Sequence, residues 1–186
     1  MNEFQLYFRL GLEHILSFSS WDHLLFLTGL IVVFELKEYK KIIGVISLFA
    51  LAHTFSLFFS AKGIIRINGV LVEKAILYTI LITALSNLLI TNIKWLTKAH
   101  YFFAFFFGLI HGLGFARDFK MMVSGQKNMI APLIEFTIGI ETGQIIASSV
   151  ILLLIFVLSK ILPFNRKELT ALLSAFIIGY TLALMH

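Results

Sequence analysis

Residues 129–158 read MIAPLIEFTIGIETGQIIASSVILLLIFVL, without a Lys or an Arg anywhere in the run. A spanning helix needs about 20 predominantly apolar residues, so this stretch alone is long enough to cross a bilayer. Five other stretches share its character: residues 21–36, 42–60, 70–90, 101–116 and 169–185. An amphipathic stretch, 4–16, precedes the first of them. Short loops separate the runs and carry the expected polar punctuation, as in Lys37-Glu38-Tyr39-Lys40-Lys41, Ala61-Lys62-Gly63, Asn92-Ile93-Lys94 and Asn165-Arg166-Lys167. The expected fold is all-α: a polytopic membrane bundle of about six transmembrane helices plus a short N-terminal amphipathic segment, forming one domain over residues 1–186.

The composition of the 186 residues agrees, with 59% hydrophobic and 13% charged and a mean hydropathy of +0.95. Soluble domains average roughly 45–50% apolar and about 25% charged, so a water-soluble enzyme is excluded. With 2 Pro and no Cys, a collagenous chain or a disulfide scaffold is excluded too. The absence of Cys also removes thiolate metal sites, thiol nucleophiles and iron–sulfur clusters. The net charge of +5 is spread singly between apolar runs, which suits interfacial anchoring rather than nucleic-acid binding. No signal peptide is expected, because Met1-Asn2-Glu3-Phe4 lacks a basic n-region.

Basic residues bear on orientation. Lys37, Lys40, Lys41, Lys94, Lys98, Lys160, Arg166 and Lys167 fall on one side, and Arg9, Lys62, Arg66, Arg117, Lys120 and Lys127 on the other. The imbalance predicts both termini outside the cytoplasm.

Charged side chains at the bilayer centre cost ~2.5–3.5 kcal/mol on insertion scales, so those retained there call for a function. The candidates are Asp22, His23, His53, His111 and Glu141, with His14 and Glu73 at span boundaries. Successive spans alternate in direction, which places all of these positions in the same half of the membrane. The opposite half is expected to offer only hydroxyls and amides, such as Ser86, Asn87, Gln144 and Ser149. One shared site is therefore expected. Imidazoles with carboxylates and no thiol suit a divalent transition metal, with at least two of His23, His53 and His111 as ligands.

Plainer readings apply to the same residues. Ser19-Ser20-Trp21-Asp22 has capping-box spacing, so Asp22 can serve a helix N-terminus. A lone intramembrane His can bridge two helices, and Glu73-Lys74 suits an interface. His100 and His186 lie at span ends and carry little information there. His14 and His23 would be on opposite faces of a continuous helix, so sharing a site requires a break around Ser17-Phe18-Ser19-Ser20. The pairs Gly108/Gly112 and Gly139/Gly143 have G-x-x-x-G spacing and bracket His111 and Glu141, which predicts close approach of spans four and five at the site.

Several motifs together resemble those of the HupE/UreJ membrane proteins, the hydrogenase and urease accessory permeases. They are Gly11-Leu12-Glu13-His14-Ile15 with Trp21-Asp22-His23-Leu24-Leu25-Phe26-Leu27, then Phe49-Ala50-Leu51-Ala52-His53-Thr54-Phe55-Ser56-Leu57. Phe107-Gly108-Leu109-Ile110-His111-Gly112-Leu113-Gly114-Phe115-Ala116 and Phe136-Thr137-Ile138-Gly139-Ile140-Glu141-Thr142-Gly143-Gln144 follow in order, with Val72-Glu73-Lys74-Ala75 between. The resemblance implies a six- or seven-helix permease for nickel or cobalt, with His14, Asp22, His23, His53, His111 and Glu141 handling the metal. Ile15 stands where the nickel-uptake branch carries Pro after the His, so the chain looks closer to the family's second branch.

Two functions follow. One is a nickel or cobalt permease. The other is an intramembrane zinc-dependent hydrolase acting on a lipid or other membrane substrate, with Glu141 or Asp22 as general base and Ser56 placing the substrate. A metal sensor or accessory subunit without turnover is a third reading. The expected partners are the lipid bilayer and a metal ion (nickel, cobalt or zinc), with homo-oligomerisation open and no nucleic acid.

Overall fold

The structure is a computed structural model that describes residues 2–17, 20–126 and 128–185. All its regular elements are helical: α1 (Glu3–Leu16), α2 (Trp21–Ile31), α3 (Tyr39–Ala61), α4 (Gly69–Leu89), α5 (Ile93–Met122), α6 (Ile130–Ile161) and α7 (Arg166–Leu184), with a 3-10 turn at Leu36–Glu38. Five helices, α3 to α7, are long and apolar enough to cross a membrane. Asn side chains start several of them: Asn2, Asn68, Asn92 and Asn165 each accept from a first-turn amide. These bonds satisfy donors that the helix itself leaves free.

The first crossing differs from its sequence reading. The run 21–36 is helical only to Ile31, and 11 residues rise about 16 Å, too short to span. The amphipathic stretch is a helix of its own, α1, and it packs along α6 with Tyr7, Gly11 and Ile15 buried. Both run in the same direction. Tyr7 meets Gln126, just ahead of α6, Ile15 sits against Gly143, and Glu35 shares a cleft with Leu152, Phe156 and Ser159. Thus α1 and α2 in series follow α6 from one end to the other and make one broken crossing. Ser17 and Ser20 lie at the break; Phe18 and Ser19 lie outside the described residues. So does Ser19 of the expected capping box, and the side chain at the N-cap position, Ser20, makes no capping bond.

The glycine pairs do not join spans four and five. Gly108 and Gly112 of α5 lie on α3, where a Cβ at Gly112 would collide with the His53 carbonyl oxygen. Gly139 of α6 lies on α1, where a Cβ would collide with the Phe8 carbonyl oxygen. Small residues permit close approach but do not name the partner. Two parallel pairs result, α3–α5 and α1–α6, and the other helices fill in around them.

A broken helix exposes carbonyls at the C-terminus of α2 inside the bundle, and each finds a donor. Asn87 Nδ2 donates to Gly29 O at 2.8 Å, and His100 Nδ1 to Leu30 O at 2.7 Å. Arg166 Nη2 donates to Val32 O at 3.0 Å and also to Phe34 O. An unpaired backbone group within a bilayer costs several kcal/mol, so these three side chains from α4, α5 and α7 are what makes the short helix tenable.

Candidate metal centre

Four helices deliver the centre. His14 ends α1, Asp22 and His23 open α2, His53 lies on α3, and His111 lies on α5. Because the helix stops at Leu16 and restarts at Trp21, His14 and His23 meet despite their spacing, with ring centroids 4.6 Å apart. The other separations are 5.6 Å from His14 to His53, 6.0 Å from His23 to His53 and 5.2 Å from His23 to His111. His14, His23 and His53 offer ligand atoms within 4.8 Å of one another, and Asp22, His23 and His111 do the same. His23 belongs to both groups. The whole set sits in the half of the bundle nearer the two chain ends, roughly 12 Å in from the C-terminus of α3.

Hydrogen bonds fix which nitrogen two of the rings present, those of His23 and His111. His23 Nδ1 lies 3.1 Å from Asp22 Oδ1; an ionised carboxylate only accepts, so Nδ1 carries the proton and Nε2 the lone pair. Thr79, on α4, has one hydroxyl proton and donates it to Ile76 O at 2.6 Å. It must then accept from His111 Nε2, 3.0 Å away, which leaves the lone pair of His111 on Nδ1. Both of these lone-pair atoms, His23 Nε2 and His111 Nδ1, are buried without a hydrogen-bond partner, as are His14 Nε2 and both nitrogens of His53. Buried polar atoms are almost always paired, so these bare imidazole nitrogens, collected in one place, form a donor set that could hold a cation. The donor set, nitrogen with one carboxylate and no sulfur, fits nickel, cobalt or zinc. Asp22 orients His23 as carboxylates orient metal-bound imidazoles, and Thr79 does the same for His111.

Other expected positions fall elsewhere. Glu141, on α6, accepts from Ser47 Oγ at 2.5 Å and belongs to neither ligand group. Glu73 is exposed. Ser56 donates to the His53 carbonyl of its own helix at 3.1 Å. In the opposite half Ser149 faces outward and Ser148 inward, and the expectation that this half holds only hydroxyls and amides is corrected by His100. That ring is fully buried, with Nε2 at 2.9 Å from Asn87 Oδ1. His186 lies outside the described residues. Sequence reasoning missed Thr79 and the role of His100. The latter was legible: Leu96, His100, Ala104, Phe107 and His111 recur at helical spacing along one buried face.

A multi-pass helical membrane protein built around a buried imidazole–carboxylate cluster is the class that fold and site define. The model of the HupE / UreJ protein family matches residues 1–186, the whole chain, and the chain belongs to that family. It has no match among curated proteins or among solved structures.

Proposed function

We propose that the chain carries a divalent transition-metal ion, nickel or cobalt, across a bacterial inner membrane, receiving it as cargo at the imidazole centre. The observation that carries this reading is the set of five buried imidazole nitrogens without partners, contributed by α1, α2, α3 and α5. Family membership supports a role in nickel or cobalt handling at the membrane. The interrupted first crossing supports it as well. Discontinuous helices commonly frame transporter substrate sites, because half-helix C-termini concentrate negative dipole near a cation. Here His14 stands in the last turn of α1. With both termini outside the cytoplasm, the orientation the basic loops favour, the centre lies in the half of the bundle nearer the external face. The hydrolase reading draws less support, since Ser56 is tied to its own helix and Glu141 to Ser47.

Liposomes containing the protein test the proposal. Co²⁺ accumulation with wild type and its loss with His53→Ala is the expected result. Wild-type liposomes that take up neither Ni²⁺ nor Co²⁺, made from protein that purifies with tightly bound zinc, would overturn transport in favour of hydrolysis.

A further inference from the structure

Helix α6 carries Thr137, Glu141, Gln144 and Ser148, at i, i+4, i+7 and i+11. That spacing puts them on one narrow stripe of the helix. The stripe begins beside the imidazole centre: Thr137 Oγ1 lies 2.8 Å from Thr54 Oγ1, on the residue after His53. Glu141 follows, taking the Ser47 hydroxyl of α3. Gln144 and Ser148 come next, each 2% exposed on a helix that packs against α2 and α3. Gln144 Oε1 and Ser148 Oγ have no hydrogen-bond partner. Among the described residues no basic side chain forms an ion pair with Glu141. From Thr137 to Ser148 the rise is about 16 Å, directed away from the imidazole centre. One turn further is buried Leu152, which also lines an open cleft with Glu35, Lys37, Ser159 and Arg166 at the opposite end of the bundle.

A carboxylate without a cation and two bare oxygens, aligned deep in a bilayer, are expensive as pure architecture. We infer that Ser47, Glu141 and Gln144 form a second cation station between α6 and α3, made of oxygen donors and taking a partly hydrated divalent ion, with Ser148 one turn beyond it on the way out. The inference rests on the transport reading for its direction of travel but not for its chemistry. Hard oxygen ligands hold nickel or cobalt more weakly than imidazoles do. A weaker station beyond a tighter one is what movement requires, since each site must bind firmly enough to be entered and loosely enough to be left. Leu152 then stands between the station and the far cleft as an apolar barrier.

The probe is Co²⁺. Equilibrium binding to purified protein in detergent, read together with the visible Co²⁺ spectrum, should resolve a tight ion with imidazole ligation and one at least about tenfold weaker. Glu141→Gln, close to isosteric, should lose the weaker ion and keep the tight one with its spectrum. Gln144→Leu should weaken the second ion alone. His53→Ala should do the reverse, losing the tight ion and its spectrum. In liposomes, uptake by Glu141→Gln should fall at least about tenfold. A single class of bound Co²⁺ in wild type would overturn the station, and so would unchanged weak binding in Glu141→Gln with the tight spectrum intact. A weaker ion that depends on Glu141 in a protein that transports nothing would support the station while sinking the transport reading.

Discussion

His53 and His100 are both fully buried imidazoles in the interior of one helix bundle, yet their surroundings are opposite. His100 has an oxygen within hydrogen-bond distance of each nitrogen, Leu30 O at Nδ1 and Asn87 Oδ1 at Nε2; both oxygens accept, so the neutral ring donates to one of them. His53 has none on either. The first closes the carbonyl end of a short helix, and its histidine is there to be satisfied. The second faces the imidazoles of His14 and His23 and the ring of Phe49, with centroids 5.6, 6.0 and 6.1 Å away, and its histidine is there to be used. Burial and residue type do not separate architecture from chemistry in a membrane. Pairing does.

Substitutions at the two positions should therefore diverge. The largest effect is expected for His53→Ala: Co²⁺ affinity falls by about 100-fold or more, while the thermal midpoint of the metal-free protein in detergent stays the same or rises, because bare polar atoms are removed. His100→Leu should show the reverse, with Co²⁺ affinity kept and stability reduced by roughly 2–4 kcal/mol as the Leu30 carbonyl and the Asn87 amide lose their partner. Equal loss of binding in both variants, by calorimetric titration, would break the distinction.

Intermediate effects sharpen it. Gly112→Ala places a methyl group against the His53 carbonyl and should cost about 1–3 kcal/mol of stability, weakening Co²⁺ binding at the same time because α3 and α5 carry His53 and His111. Thr79→Val removes the acceptor that sets the His111 tautomer. Affinity should drop by about tenfold with little change in midpoint, and Thr79→Ser should restore it. The smallest effect is that of pH. A proton competes for the same lone pair as the metal, so binding must weaken on acidification, by less than about tenfold between pH 7.5 and 6.5. Binding that strengthens as pH falls would contradict imidazole ligation.

The hydrophobic runs foretold α3, α4, α6 and α7 to within about three residues and clipped α5 at both ends, because apolar length is a direct physical demand of the bilayer. The meeting of His14, Asp22, His23, His53 and His111 was also legible, since alternating spans return side chains to the same depth. Three features were hidden, each for a reason. The start of α5 was set at residue 101, although the helix begins at Ile93, because Lys94 and Lys98 interrupt the apolar pattern; Lys98 in fact folds over the Trp95 ring, 5.0 Å from its centroid. That clipping made His100 look terminal. The partners of the glycine pairs were invisible because a small surface accepts any helix of matching shape. Thr79 was missed because a hydroxyl matters to a ring only through geometry, and α4 offers several Thr and Ser residues with nothing to rank them.

The paired glycines divide the ligands between two blocks. Gly11 and Gly139 seat α1 backbone to backbone on α6, whereas Gly108 and Gly112 seat α5 on α3. His14 therefore travels with one block, and His53 and His111 with the other. A slip of an ångström or two along the seam would alter the gap from His14 to His53 and leave that from His53 to His111 untouched. If these rings hold a metal as proposed, the strength of the grip depends on the registry of the two helix pairs.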